Sequence, residues 1–225
     1  MSVLDRPVFE SLAGAHQHLS EGGSLARRYR PDINVFASAR DDDAEALGAL
    51  ASLVQPGEAI YILQRAQIPS LPGFRTLKMA AGVQMVADRM VDDVDDPRIV
   101  ALCAADAQDM QALAALTEPG PFRPNTYRMG RFVGVRINGR LAAMAGERMR
   151  PDGFIEVSGV CTHPDFRGQG LARLLSQRVA ACIGRDAKTP FLHAWKSNVA
   201  AIRLYESLGF RVVAEISAAM FERSG

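Results

Sequence analysis

Asn138-Gly139 stands between two strand-like runs, residues 131–137 and 140–149, and constrains the fold more than any other dipeptide in the chain. A two-residue hairpin turn needs positive φ at both central positions, which Asn and Gly tolerate, so the runs are predicted to pair antiparallel. The surrounding elements fall into order. A strand at residues 99–103 and a helix at 107–116, which Asp106 is placed to cap, precede the hairpin. The segment 118–124 carries Pro119, Gly120, Pro121 and Pro124 and reads as a loop. After the hairpin come a strand over Phe154–Thr162 and a long helix whose Leu171, Leu174, Leu175, Val179 and Cys182 share one face. A strand at 191–195, a helix at 198–208 stopped by Gly209 and a strand at 210–216 complete the order. This alternation predicts an α/β (α+β) sandwich.

Residues 1–97 are less legible. Val8, Leu12 and Ala15 suggest a helix over 7–19, Gly22-Gly23-Ser24 breaks the chain, and 25–39 receive no assignment. Asp41, Asp42 and Asp43 open an Ala/Leu-rich helix ending near Val54, the end of a helix that favours negative charge. Strands are expected at 60–63 and 76–86, with an acidic linker at 92–96 closed by Pro97. The formal net charge of +1 hides an asymmetry: residues 1–97 hold nine basic and fourteen acidic residues, residues 98–225 seventeen and eleven. Two domains, 1–97 and 98–225, are expected.

An apolar content of 48% supports a buried core and excludes disordered and fibrous classes. The apolar run at 99–105 is far shorter than the roughly 18–20 residues of a membrane span, and no secretory signal opens the chain. Cys103, Cys161 and Cys182 are odd in number and far apart, which argues against a disulfide framework or CxxC metal site and makes a reducing cytoplasm the expected compartment. His16 and His18, two apart on a helix, diverge, so no metal is expected. Scattered basic residues and 7% aromatics give a nucleic-acid partner no support.

Chemistry concentrates at Arg167-Gly168-Gln169-Gly170-Leu171-Ala172, where a strand has ended and an amphipathic helix begins. A first helical turn offers unpaired N–H groups and about half a positive charge, glycines admit close approach by phosphate oxygens, and Arg167 and Arg173 add charge. A P-loop is excluded because Gly-Lys-Ser/Thr is missing, and a dinucleotide fingerprint because hairpin strands precede the segment. The run matches R/Q-x-x-G-x-G/A, and Asn198-Val-Ala-Ala-Ile-Arg-Leu-Tyr-Glu-Ser-Leu-Gly-Phe210 matches N-x-x-A-x-x-L-Y-x-x-x-G-F. In both motifs, and in Val160-Cys161-Thr162-His163-Pro164, the chain resembles the GNAT superfamily of N-acetyltransferases over residues 98–213.

That resemblance implies a mixed, mostly antiparallel twisted sheet flanked by helices, with residues 1–97 as a degenerate copy of the same fold. It implies an acetyl-CoA cosubstrate whose pyrophosphate is held by backbone amides over Gly168, Gln169, Gly170, Leu171 and Ala172, beside Arg167 and Arg173. Val160 and Thr162 would align the pantetheine and acetyl group, an N–H near Val160 and Cys161 would meet the oxyanion of a tetrahedral intermediate, and Asn198 would contact the cofactor arm. Tyr205 matches the general acid that protonates the departing thiolate, with core packing on Ile202 and Leu208 as its alternative role.

An alkylamine acceptor, with a pKa of about 10.4, must lose a proton before attack. Glu156 is the candidate base: alternation puts it on the same side as Phe154, Ser158 and Val160, and burial is expected to raise its pKa. A water chain, His163 and His193 are its rivals, and His193 reads equally as a core histidine. Cys161 beside His163 offers a second route, an acylated thiol, without a third orienting residue. The rival to direct acetyl transfer onto a primary amine is an inactive acyl-CoA sensor or interaction module. The loop from Glu118 and residues 1–97 are expected to line the acceptor side. Neither the amine nor the oligomeric state, a homodimer among the options, follows from the sequence.

Overall fold

The computed structural model describes residues 2–225. From the N-terminus, α1 (Pro7–Ala13) precedes an antiparallel meander of β1 (Ser20–Gly22), β2 (Ala26–Tyr29) and β3 (Ala37–Ala39), followed by α2 (Ala44–Ser52), β4 (Ala59–Gln64) and β5 (Phe74–Ala87). Next come β6 (Ile99–Leu102), α3 (Ala107–Thr117), β7 (Phe132–Ile137), β8 (Arg140–Glu147) and β9 (Phe154–Thr162). The chain ends with α4 (Leu171–Arg185), β10 (Thr189–Trp195), α5 (Val199–Ser207) and β11 (Phe210–Arg223). β7 and β8 form the expected hairpin, closed by Ile137 opposite Arg140, with Asn138 and Gly139 at φ 51° and 78°. No helix among the described residues is long and apolar enough to cross a membrane.

The boundary expected at Pro97 does not divide the molecule into two cores. One eight-stranded sheet runs β4-β11-β5-β10-β9-β8-β7-β6, so β5 from the first 97 residues lies between β10 and β11. Two stretches of similar connectivity share this sheet. In one, the meander β7-β8-β9 leads through α4 to β10, parallel to β9. In the other, the meander β1-β2-β3 leads through α2 to β4, joined to the meander by a parallel bridge from Phe36 to Tyr61. The long β5 then pairs antiparallel with β10, the long β11 pairs antiparallel with β4, and β5 and β11 pair with each other along most of their length. Pairing between residues far apart in sequence leaves no local trace, which is why the composition break suggested separate domains.

The helix expected over 7–19 stops at Ala13, with a short 3₁₀ turn at Gln17–Leu19, and the unassigned 25–39 hold β2 and β3. Asp106 does not cap α3 with its side chain; it accepts a hydrogen bond from the Cys103 N–H (2.9 Å) and an ion pair from Arg136 (2.6 Å). The acidic linker is tied down, since Asp93 pairs with Arg178 and Arg185 on α4.

Two buried clusters lie on opposite faces of the sheet. On one face Leu171, Leu175, Val179 and Ile183 of α4 pack with Ile155, Val157 and Leu192. On the other, Val8 and Leu12 of α1 pack with Tyr29, Phe36, Tyr61, Leu63, Phe191 and Ile216. Burying aliphatic side chains of this size stabilises a fold by about 1.5–3 kcal/mol each.

Candidate active site

β9 and β10 pair only from Phe154 opposite Thr189 to Glu156 opposite Phe191, although both strands continue. Beyond that point β9 bulges. Met144 faces Cys161 and Gly146 faces Ser158, so three steps on β9 meet two on β8, and Gly159 sits at φ 63° inside the extra step. The bulge overturns the expected alternation. Val160 packs with Ile155 and Val157 on the α4 face, not on the side of Glu156, while Cys161 turns to the α3 cluster with Phe132 and Met144.

The parted strands open a cleft of about 760 Å³. Val160, Cys161, Thr162, Arg167, Gly168, Gly170, Leu171, Ala172, Arg173, Asn198 and Tyr205 line it together, whereas Gln169 and Glu156 do not. Gly170 is the N-cap of α4 at φ 74°, Gly168 has φ 78°, and a Cβ added at either would meet nothing within 4 Å. The first-turn amides therefore face an open cradle with the helix dipole behind them, the geometry an anion needs. Thr162 Oγ1 is buried without a hydrogen-bond partner in the same wall. Asn198 caps α5 by accepting from the Ala201 N–H (3.2 Å). These features fit a phosphate-bearing, amide-containing cosubstrate.

Tyr205 lies at the cleft and against the α4-face core, so the packing role and the chemical role coexist. Burial pushes its phenol up to about 12, eased slightly by Ser176, and it stays protonated at neutral pH. Cys161 is likewise pushed up to about 11 by burial, and His163 engages Arg140 and Asp165 (2.7 and 3.2 Å). A neutral buried thiol without a histidine partner does not serve as a nucleophile.

Glu156 departs most from expectation. It is fully buried, and burial pushes its carboxyl up, but the Arg148 guanidinium and the hydrogen bonds from Arg148 and His193 outweigh this and hold it well below the usual carboxylate range. Oε1 accepts from Arg148 Nη2 (2.7 Å) and pairs with His193 Nδ1 (2.7 Å). Oε2 accepts from Arg148 Nε (2.8 Å) and the Met149 N–H (3.3 Å). Four partners leave no lone pair for an incoming amine.

Sequence reasoning left His193 undecided and missed Arg148, Phe36, Tyr61 and Leu63, all of which line the cleft. Arg148 also stacks over Phe36, 4.8 Å from the ring centre. These residues meet on the α1 face of the parted strands, opposite the glycine cradle. The loop from Glu118 to Pro121 reaches the same cleft, as expected, and Glu118 sits at φ 49°, an uncommon conformation for a non-glycine residue. No local pattern announces Arg148 or Tyr61, because each acts through a neighbour far away in sequence.

Known proteins share the fold. Residues 132–218 match the family model described as FR47-like protein. A crystal structure of a GNAT-family acetyltransferase from Novosphingobium aromaticivorans is 45% identical over 100% of both chains, with a TM-score of 0.94. A GCN5-related N-acetyltransferase from Kribbella flavida, 20% identical over 100% of this chain and 97% of its own, shares the fold with a TM-score of 0.65. The [ribosomal protein bS18]-alanine N-acetyltransferase of Escherichia coli is 39% identical over 74 residues, 32% of this chain and 49% of that protein, so the match spans about half of its length. The full-length likeness at 45% identity carries the assignment: this chain belongs to the GNAT family of acetyltransferases.

Proposed function

We propose that the protein transfers the acetyl group of acetyl-CoA to a primary amine by direct attack through a tetrahedral intermediate. The observation that carries this reading is the cleft itself, where the glycine cradle at the start of α4, the parted end of β9 and Tyr205 face one space. Amides from Gly168 to Ala172 would hold the pyrophosphate, with Arg167 and Arg173 beside them, and the unpaired edge of β9 at Val160 and Thr162 would align the pantetheine arm. Gln169, outside the cleft lining, would contribute its backbone alone. Tyr205 donates to the sulfur as negative charge develops there; its raised pKa keeps the proton in place until then.

The amine enters from the opposite face, past Glu118, into a chamber walled by Phe36, Tyr61, Leu63 and Ile216. An apolar chamber disfavours an ammonium, so the amine gives up its proton there. His193 takes it in this reading, with Glu156 behind the ring as the anion that stabilises an imidazolium. Of the acidic residues in 1–97, Asp5, Asp42 and Glu58 are paired with Arg65, Arg6 and Arg28. Three free cysteines fit a reducing compartment.

Residues 1–97 we read as a second, altered copy of the same half-fold, on the ground of the shared meander, helix and parallel strand. Its place is structural: β5 braces β10, and the copy supplies Phe36, Tyr61 and Leu63 to the acceptor wall. Incubating the protein with acetyl-CoA and a panel of primary amines, and following free CoA thiol, tests the reading. At least one amine should release CoA and gain an acetyl group; binding of acetyl-CoA without transfer to any amine would favour the sensor.

A further inference from the structure

The hydrogen bonds around His193 determine where its proton sits, and the determinant comes from the other half of the molecule. Gln84 on β5 is completely buried beside it. Its Oε1 accepts from the Arg65 guanidinium (Nε, 2.9 Å), and its Nε2 donates to the Leu4 carbonyl (3.0 Å). Rotating the amide by 180° would set an NH₂ against a guanidinium and an oxygen against a carbonyl, so only one orientation is compatible with both neighbours. In that orientation Nε2 stands 3.0 Å from His193 Nε2 and must be the donor. His193 Nε2 is therefore the bare nitrogen, Nδ1 carries the hydrogen, and Nδ1 donates to Glu156 Oε1 at 2.7 Å.

We propose that Gln84 is a positioning residue of the acyl-transfer site, fixing His193 as the tautomer protonated on Nδ1 with its Nε2 lone pair held by the Gln84 amide. Every acceptor position on Glu156 is taken, two of them by a guanidinium. His193 Nε2 is engaged by a neutral carboxamide alone, itself held in place by Arg65 and the Leu4 carbonyl. The ionisable groups facing the ring are Glu156 and, behind it, Arg148 and Tyr29; on the β5 side they are Arg65 and its partner Asp5. Once His193 takes a proton, its new N–H points at the Gln84 N–H. Gln84 thus presents no acceptor to that N–H, while Glu156 presents one to Nδ1. The tautomer follows from the hydrogen bonds alone, and its catalytic consequence rests on the acetyl-transfer reading above.

Nitrogen-15 NMR of histidine-labelled full-length protein, with the His193 signals assigned by their loss in His193→Gln, tests the proposal. At neutral pH the wild type should show a protonated Nδ1 and a bare Nε2. Gln84→Glu offers an acceptor in place of the donor and should convert His193 to the doubly protonated form at the same pH. The acidic limb of kcat/KM for the amine should then move to higher pH, while KM for acetyl-CoA stays unchanged. Gln84→Met keeps the bulk without the donor and should release both tautomers and lower kcat/KM for the amine roughly tenfold. A wild-type His193 protonated on Nε2, or NMR signals indifferent to Gln84→Glu, would overturn the proposal even if acetyl transfer proceeds. The expected tautomer in a protein that acetylates no amine would leave the positioning intact and remove the transfer reading instead.

Discussion

The two helices that follow the two meanders, α2 and α4, occupy corresponding places and begin in opposite ways. Before α4 stand Arg167, Gly168 and Gly170, with both glycines at positive φ and an open cradle in front of the first amides. Before α2 stand Asp41, Asp42 and Asp43, which bring carboxylates to the same positive helix end without a side-chain cap, Asp41 and Asp42 being paired with Arg40 and Arg6. One end is open to an outside anion and the other begins among carboxylates. The connection after the helix differs as well, since α5 with Tyr205 lies between β10 and β11, whereas residues 65–73 between β4 and β5 contain no helix. The halves therefore share a framework and differ in a few residues at one helix start and in one helix, the features on which the proposed binding and reaction rest.

The largest effect expected concerns the inserted helix. Tyr205→Phe should lower turnover by about 10²–10⁴, the usual range for a positioned proton donor, while calorimetry finds acetyl-CoA affinity retained. Unchanged turnover would mean that α5 contributes packing alone, and the contrast between the halves would reduce to the glycines. Next in size is a substitution that makes α4 begin as α2 does. Gly170→Asp and Gly170→Asn both tolerate positive φ and differ in one negative charge. The Asp variant should bind acetyl-CoA at least tenfold more weakly than the Asn variant, a gap that narrows at high salt. Equal affinities would show that the helix end does not meet the phosphates.

A third prediction concerns the joint between the halves. His16 is buried, with Nδ1 2.8 Å from the Tyr29 hydroxyl and Nε2 2.9 Å from the Met129 carbonyl. Burial lowers its pKa from 6.5 to about 4. The unfolded chain therefore binds a proton between those values that the folded protein does not, so His16 costs nothing above pH 6.5 and destabilises progressively as pH falls towards 4. The loss amounts to a few kcal/mol at most. Thermal melting should show this slope, and His16→Gln should flatten it. The smallest effect belongs to Asn198→Ala, which removes the α5 cap and should cost about 0.5–2 kcal/mol in denaturant melts.

Local chemistry made much of this molecule readable. The β7–β8 hairpin follows from Asn138-Gly139, α4 from its leucine periodicity and glycine entry, and the end of α5 from Gly209 at φ 91°. The glycine cradle, Asn198 and Tyr205 were legible for the same reason, as contiguous motifs. What escaped depends on partners distant in sequence. Nothing near Phe74–Ala87 says that this strand lies between β10 and β11, and nothing near Glu156 names Arg148 and His193 as its partners. The bulge at Gly159 escaped for another reason: a period of two presumes regular pleating, and one extra residue moved Val160 to the face opposite Glu156. Phe36 falls in the stretch left without an assignment and Tyr61 inside an expected strand; both are core residues, with their rings 5.3 Å apart edge to face.

The central claim is that one half of the chain is loaded with the cosubstrate and the other is not. Titration calorimetry of the full chain with acetyl-CoA tests it most directly. The account predicts one site per chain, abolished or strongly weakened in Gly170→Asp, and no binding of ATP or NAD. Two sites per chain, or no heat with acetyl-CoA, would contradict it.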